Sequence, residues 1–243
     1  MVASLGHIIL SCIRLWVKIS MTALTFTLKT VPAFKLNCAR LTPNNLAGLS
    51  LTQIKSLNLL NTKNSAKVAD FFDVTGDNAE HIIFKNSNAQ LNFIGHKMSH
   101  GNIIIERDCG DFLGAQMQGG TIVCTGNAGD RVADLMRRGL ILIDENAGDY
   151  CGSRMLAGTI GVYGGIGKYA GFGMKRGTLL LKNQPNLHAT IQDCGIHTLP
   201  FLALLFQSFG ILPSKFSSIK SQRVQRFAGD LACNGNGEIL VLM

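Results

Sequence analysis

The sequence predicts an all-β fold: a right-handed parallel β-helix with 19-residue coils, plus short helical N- and C-terminal flanking segments. A glycine precedes an apolar triplet five times at one constant interval, at Gly101, Gly120, Gly139, Gly158 and Gly177. These units keep no 3.6-residue apolar period, and each is too short for a pair of helices. Identical strands that each pair with the same strand one coil away, about 4.8 Å apart, satisfy the repeat.

Three positions of the unit carry nearly invariant residues when the first glycine is counted as position one. Positions ten and fourteen are glycines, which we expect to adopt a positive φ at the corners. Position seventeen is methionine, whose unbranched thioether we expect to stack as an internal ladder. These structural-repeat residues are Gly110, Gly129, Gly148 and Gly167; Gly114, Gly152 and Gly171; and Met98, Met117, Met136, Met155 and Met174. Ala133 replaces one glycine of position fourteen, so we expect that position to need a small residue rather than a strictly left-handed one.

Position four is also apolar in most units. Because successive side chains of a strand point to opposite faces, positions three and five are expected to face the bore and position four the outside. An outward apolar stripe is covered either by the chain's own segments or by another protein, and we favour a partner interface. The predicted partner face is Ile104, Val123, Leu142 and Leu180, with Gly161 as the exception.

Outside the repeats, the chain divides into further segments. We interpret residues 1–20 as a mis-assigned N-terminal extension, because Met21 opens a good first strand and no small-residue cleavage site is evident. The remaining segments are an N-terminal cap with a strand and short helices (21–70), the parallel β-helix (71–182), and a C-terminal helix and closing strand (183–243). The apolar run 201–212 is too short to cross about 30 Å of hydrocarbon, so we predict no membrane span.

The chain is basic, with 23 Lys and Arg against 15 Asp and Glu among its 243 residues. The positive charge is scattered, and only Arg137 with Arg138 and Lys175 with Arg176 are adjacent basic residues. This pattern favours an anionic ligand or an acidic partner subunit over nucleic acid, while an ordinary soluble basic surface stays an open alternative. The seven cysteines form no CxxC pair, and we interpret them as free buried thiols in a reducing cytosol.

The sequence contains no recognised catalytic constellation. GGIGK at 164–168 resembles a phosphate-binding loop, but Tyr169 follows Lys168 where Ser or Thr is required, and the repeat already explains the glycines. His96 and His100 have the spacing of a helical metal pair without a supporting acid motif, so we predict no metal site.

A column of acidic residues is predicted at position eleven. Asp111, Asp130 and Asp149 recur with the period of the repeat, and the fourth member is Lys168. The lysine would break a cation-binding ladder and could pair with Asp149. We therefore expect these carboxylates to cap backbone amides at the corners.

The tandem unit G-D-x-x-G-x-x-M-x-x-G, as in GDYCGSRMLAG at 148–158, resembles the glycine-rich β-helix of the glutamate synthase C-terminal domain. The terminal segments LTPNNLAGLS and RFAGDLACNGNGEILVL extend the resemblance. Over about residues 21–243 the chain is similar to the C subunit of the formylmethanofuran dehydrogenase family, and within that family to the bacterial form, in the formyltransferase/hydrolase complex of methylotrophs.

The resemblance implies a cytoplasmic role in tetrahydromethanopterin-linked one-carbon metabolism. In such a complex the formyl group passes from formyl-tetrahydromethanopterin to a methanofuran-type carrier and is released as formate. The hydrolase-like, dehydrogenase B-like and formyltransferase subunits are expected to be the partners and to hold the metal. This chain is then expected to be a non-catalytic structural subunit. Because the carriers bear glutamate-containing tails, Lys168, Lys175 and Arg176 are candidate cofactor contacts.

Two other functions compete with this one. The glutamate synthase resemblance supports a β-helical channel or scaffold domain of an amidotransferase, which a neighbouring glutamine-hydrolysing domain would favour. A stand-alone acyltransferase with a hexapeptide-type β-helix is disfavoured, because 19 is not a multiple of six.

Overall fold

The computed structural model describes residues 23–59 and 66–243. The interpreted extension 1–20 and the start at Met21 lie outside the described residues. Strands make up 31% of the structure and helices 14%, so the predicted all-β class is confirmed. Nowhere in the described part of the chain does a helix have the length and apolar content of a membrane span.

The described residues contain thirteen β-strands. They are β1 (Ala23–Leu28), β2 (Leu36–Asn37), β3 (Phe72–Thr75), β4 (Asn78–Lys85), β5 (Leu91–Asn92), β6 (Asn102–Ile105), β7 (Thr121–Cys124), β8 (Leu140–Ile143), β9 (Thr159–Val162), β10 (Thr178–Leu181), β11 (Gln192–Thr198), β12 (Arg223–Gly229) and β13 (Gly237–Leu242).

Short helices flank the repeats. The α-helices are α1 (Pro43–Leu46), α2 (Leu51–Ser56), α3 (Val68–Phe71) and α4 (Phe201–Phe209), and 3-10 helices lie at Lys215–Ser218 and Leu231–Cys233. Ser50 caps α2 in a capping box with Gln53, which explains why this helix begins at Leu51. The C-terminal segment also contains two strands, β11 and β12, that were not predicted.

Eleven strands form one sheet in the order β11-β12-β13-β10-β9-β8-β7-β6-β4-β1-β3, and β2 pairs separately with β5. Neighbours from β1 to β13 along this order are parallel. The antiparallel strands lie at its two ends, with β3 on β1 and β12 and β11 beyond β13. The chain therefore covers both ends of the parallel stack with its own strands, which protects the pairing edges.

The register of the parallel strands is the sequence repeat itself. Ile103 pairs with Ile122, which pairs with Ile141, and the same displacement continues to β10. A second set of bridges, from Ala128 to Ala147 and on to Ile166, keeps the same interval. Each 19-residue unit thus returns to the same place in the sheet, which is the β-helix-like arrangement that the repeat predicts.

Positions three and five of the units form the interior, as predicted. All ten side chains are at most 1% exposed, and burial of each large one stabilises the fold by about 1.5–3 kcal/mol. They are Ile103, Ile105, Ile122, Cys124, Ile141, Ile143, Ile160, Val162, Leu179 and Leu181.

The five methionines of position seventeen are fully buried in the same core. A Cβ added to Gly139 would lie 2.7 Å from Cε of Met117, and one added to Gly158 would lie 2.7 Å from Cε of Met136. Each methionine tip therefore occupies the space beside a glycine of a following coil. The packing of one residue against the other explains why both recur so strictly.

The prediction that the position-ten glycines adopt a positive φ is wrong. None of Gly110, Gly129, Gly148 and Gly167 has a positive φ. They are required by close approach instead, since a Cβ on Gly129 would lie 2.8 Å from the carbonyl carbon of Gly110 and against the side chain of Asp111. The backbone of one coil rests directly on the next at this corner.

Position fourteen is left-handed in every coil, including the one without glycine. Gly114 has a φ of 63° and Ala133 a φ of 57°. The interpretation that Ala133 marks a position without a left-handed requirement is therefore wrong. The position also needs a small residue, because a Cβ on Gly152 would lie 3.0 Å from Cδ1 of Leu179.

The predicted partner face is largely covered by the chain itself. Val123, Leu142 and Leu180 are at most 1% exposed and pack with α4 and with Phe216 of the 3-10 helix. The assignment of these three residues to a partner interface is therefore wrong, because the C-terminal segment supplies the apolar side chains that bury them. Ile104 remains partly exposed.

The one gap in the stripe has a packing reason. A Cβ on Gly161 would lie 2.9 Å from Cζ of Phe216, so the missing side chain leaves the space that the phenyl ring fills. Gly161, the exception at position four, is thus the place where the C-terminal segment packs onto the coils.

Candidate functional site

A polar column runs along position eleven of the coils. Oδ1 of Asp111 accepts the amide N–H of Asp130 at 3.1 Å, and Oδ1 of Asp130 accepts that of Asp149 at 2.8 Å. Oδ1 of Asp149 accepts the amide N–H of Lys168 at 2.7 Å. The predicted capping of corner amides is confirmed, and Lys168 joins the column through its amide rather than through its ammonium group.

The N-terminal segment contributes a cation to the beginning of this column. Lys35 Nζ lies 2.5 Å from Oδ2 of Asp111. Burial on its own would raise the pKa of Asp111, but the hydrogen bonds from Lys35 and from the Asp130 amide outweigh it and lower the pKa below its usual range. This acid is therefore ionised and paired with Lys35.

An aromatic column follows at position twelve, outside the coils. Phe93 stacks on Phe112 with ring centroids 4.6 Å apart, and Tyr150 stacks on Tyr169 at 4.9 Å. The guanidinium of Arg131 lies 4.8 Å from the centroid of Tyr150 and occupies the same position of the coil between the two pairs. All five residues have φ between 58° and 62°, which bulky side chains rarely adopt. This column was not predicted, although aromatic residues spaced by multiples of 19 were its signal in the sequence.

The aromatic column ends at a surface depression with a volume of about 170 Å³. Its lining combines the last corner of the coils with the link that follows β10. The lining residues are Lys168, Tyr169, Asn186, Leu187 and His188. Only Lys168 among them was a candidate from the sequence, because the link carries no periodicity that would align its side chains with the corner.

A hydrogen-bonded chain supports the depression from behind. Nδ1 of His188 lies 2.7 Å from Oγ1 of Thr190, and Thr190 is in turn hydrogen-bonded to the carboxylate of Asp230. The amide N–H of Gly173 also donates to Asp230, at 3.0 Å. His188 is therefore held in place by both the link and the C-terminal segment.

The three candidate cofactor contacts do not form one site. Lys168 lines the depression, whereas Lys175 and Arg176 do not. Lys175 Nζ donates to the carbonyl oxygen of Cys233 and so anchors the C-terminal segment. The side chain of Arg176 has no hydrogen-bond or ion-pair partner among the residues that the structure describes.

The two histidines with metal-pair spacing have other surroundings. Nδ1 of His100 lies 3.2 Å from Oε2 of Glu80, and the ring of His96 packs edge-on against Phe93. Within residues 23–59 and 66–243, no group of three or more His, Cys, Asp or Glu side chains could hold a metal ion. What the corner at the depression presents instead is the ammonium group of Lys168 beside the ring of Tyr169.

The chain is similar in sequence to one curated relative over a short stretch. No family model matches the chain. It is 40% identical over 57 residues to the C subunit of the tungsten-containing formylmethanofuran dehydrogenase 2 of Methanocaldococcus jannaschii. That alignment covers 22% of this chain and 21% of the relative, so it spans about a fifth of the curated relative's length.

A solved structure matches nearly the whole chain. It belongs to the formyltransferase/hydrolase complex from Methylorubrum extorquens, crystallised in complex with methylofuran. The match has 30% sequence identity and a TM-score of 0.62, and it covers 90% of this chain and 99% of the other. Since the sequence similarity and the shared fold point to the same proteins, the chain belongs to the family of formylmethanofuran dehydrogenase C subunits.

Proposed function

We propose that this chain is the structural C subunit of a formyltransferase/hydrolase complex. That complex would move a formyl group from formyl-tetrahydromethanopterin to a methanofuran-type carrier and then release formate in the cytoplasm. One observation carries the proposal: 30% identity over 99% of a chain from such a complex. The partners would be hydrolase-like, dehydrogenase B-like and formyltransferase subunits, with the metal held by another subunit.

The polar groups of the coils support a structural role. Asp111, Asp130 and Asp149 each cap an amide of the following coil. Asp134 is 5% exposed and accepts hydrogen bonds from Ser153 and Arg154, so its charge is also used within the fold. In this proposal the coils wind as a right-handed parallel β-helix that holds the other subunits in position. The wider likeness to the glutamate synthase C-terminal domain stays a prediction.

The partner face is best placed on the C-terminal segment. Since the stripe at Val123, Leu142 and Leu180 is already covered, the exposed apolar side chains of α4 and the turn after it take its place in the proposal. Leu204 is 71% exposed, Ile211 63% and Phe201 47%, all in α4 and the turn after it. Exposed apolar side chains in such a cluster are typical of protein–protein contacts.

The chain also has residues that fit a carrier with an anionic tail. Lys168 and Arg176 carry charges that no carboxylate of the described residues neutralises, so either can bind such a tail. Lys175 fits less well because it already donates to Cys233. In this proposal the carrier accepts the formyl group at another subunit, and this chain would only orient its tail.

Purification of the tagged full chain from its own host tests the proposal. We expect three further polypeptides to co-purify, together with formate release from formyl-tetrahydromethanopterin. Leu204→Asp should reduce the recovered partners at least fivefold without lowering the Tm, because the side chain is exposed. The matched control is Val31→Asp, at a site 73% exposed on the N-terminal cap. A monodisperse, partner-free monomer in cell extract would contradict the proposal.

A further inference from the structure

We infer that the depression at Lys168 is a binding site for a small carboxylate whose apolar body also carries an N–H or O–H donor. Lys168 would pair with the carboxylate, the ring of Tyr169 and the side chain of Leu187 would contact the body, and His188 would accept the donor. Such a site goes beyond the carrier tail proposed above for Lys168, because it adds an apolar contact and a hydrogen-bond acceptor to the charge, and it stands on the chain's own geometry.

The charge changes sign at the end of the position-eleven column. Asp111, Asp130 and Asp149 precede Lys168 along the column, and each of these carboxylates is used as an amide cap. The ammonium group of Lys168 has no hydrogen-bond or ion-pair partner among the described residues. Lys168 is exposed and has no internal partner, so its ammonium group is free to pair with an anionic ligand at the depression.

Aromatic rings stand at and behind this depression: Tyr169 lines it, and Phe172 lies outside the lining, near the rings of Tyr169 and His188. Tyr169 is 44% exposed and Phe172 47% exposed, and their rings meet edge to face with centroids 6.4 Å apart. Tyr150 supports Tyr169 from the coil before, at 4.9 Å. Phe172 in turn lies 6.0 Å from the ring of His188. These rings are fixed by stacking, so contact with a ligand would cost little side-chain entropy.

The hydrogen-bonded chain behind the depression fixes the tautomer of the His188 ring. Burial on its own would raise the pKa of Asp230, but hydrogen bonds from Thr190 and from the amides of Gly173 and Ala232 outweigh it and lower the pKa. The carboxylate is therefore ionised and only accepts, so the Thr190 hydroxyl donates to it. Oγ1 of Thr190 then accepts from Nδ1–H of His188, so the neutral form of the ring presents Nε2 as an acceptor.

Nε2 of His188 has no partner in the described structure and is shielded from solvent. An unsatisfied buried acceptor of this kind is unfavourable. A ligand with an N–H or O–H group would relieve this cost by displacing the side chains that cover the nitrogen. The imidazole of His188 is therefore a contact of the ligand, and its NMR resonances report the binding.

The ligand chemistry could come from a free acylated amino acid or from an acidic residue of another polypeptide. Three probes separate the requirements: N-acetyl-L-leucine has carboxylate, N–H and apolar body; N-acetyl-L-leucinamide lacks the charge; acetate lacks donor and body. An acetylated, amidated tripeptide with a central glutamate represents the polypeptide source. Each is titrated into the full chain while the imidazole and tyrosine ring resonances are recorded by NMR.

We expect a saturable shift of the His188 and Tyr169 resonances, with N-acetyl-L-leucine binding about tenfold more tightly than its amide and acetate more weakly still. Lys168→Met should abolish the preference for the acid, and Lys168→Arg should keep it. Lys182→Met, at an exposed lysine outside the depression, is the matched control. Tighter binding of the tripeptide than of N-acetyl-L-leucine would assign the site to a polypeptide, and the reverse to a free small molecule.

The inference is overturned if neither N-acetyl-L-leucine nor the tripeptide produces a saturable shift. It is also overturned if acid and amide bind equally, or if Lys168→Met leaves the preference unchanged. Because the titration needs no partner protein, its failure leaves the proposed assembly untouched, and a failed co-purification leaves this site untouched.

Discussion

At the scale of single residues, glycine serves this fold in two physically different ways. Gly129 has an ordinary φ but no room for a Cβ, since the carbonyl carbon of Gly110 lies 2.8 Å from where that atom would be. Gly48 has a φ of 76° but nothing within 4 Å of an added Cβ. The first glycine is required by packing between coils and the second only by backbone conformation.

This difference predicts unequal costs for the same substitution. Gly129→Ala should lower the free energy of unfolding by about 2–3 kcal/mol, because backbone atoms cannot move aside as a flexible side chain can. Gly48→Ala should cost about 1 kcal/mol from left-handed strain alone. Urea unfolding of both variants measures the two values. Equal costs would contradict the assignment of position ten to close approach.

At the scale of elements, the contact between the coils and the C-terminal segment depends on one missing side chain. Strand β9 has Gly161 where the neighbouring strands have Leu142 and Leu180, and Phe216 occupies the space. The 3-10 helix that carries Phe216 is also fastened by Ser214, whose hydroxyl donates to Asp144 at 2.6 Å. The apolar and polar contacts together place this segment over position four.

A double-mutant cycle tests that contact. Gly161→Val should destabilise the fold by about 1–3 kcal/mol by forcing Phe216 out, and Phe216→Ala alone should cost about 3–5 kcal/mol. In the double variant the valine fills part of the space that the phenyl ring leaves. The combined loss should therefore be smaller than the sum of the single losses by about 1 kcal/mol or more, as measured by urea unfolding. Simple additivity would show that the two positions do not share this space.

At the scale of the whole molecule, buried thiols link global stability to pH. Burial raises the pKa of Cys38 to about 12 and that of Cys151 to about 12, against about 8.5 in an unfolded chain. The folded state keeps these protons where the unfolded state loses them. The stability they contribute is thus fully present below about pH 8.5 and is lost as the pH rises towards 12.

The expected result is a steeper loss of stability in alkali than a chain without these thiols shows. Between pH 9 and pH 10.5, each thiol should reduce the free energy of unfolding by about 1.4 kcal/mol per pH unit. The control is the double variant Cys38→Ala with Cys151→Ala, compared by the slope of urea stability against pH so that cavity costs cancel. Identical slopes for both proteins would contradict the effect of burial.

Also at this scale, the repeat explains what could be predicted. The register of β6 to β10, the ten interior side chains and the buried methionines follow from the 19-residue period, because each coil meets an identical neighbour. The capping by Asp149 of the Lys168 amide was predictable for the same reason. A period describes contacts between one coil and the next, and these contacts are all of that kind.

By itself, then, the sequence determined the all-β class, the coil length, the core and the family of this protein. Only the tertiary structure decided what covers Val123, Leu142 and Leu180, why position ten is glycine, and that His188 lies beside Lys168. The first and the third of these features join the repeat to segments that have no period. The second depends on a space that is smaller than one side chain. Their positions follow from how the chain returns over its own coils, which local sequence patterns do not encode.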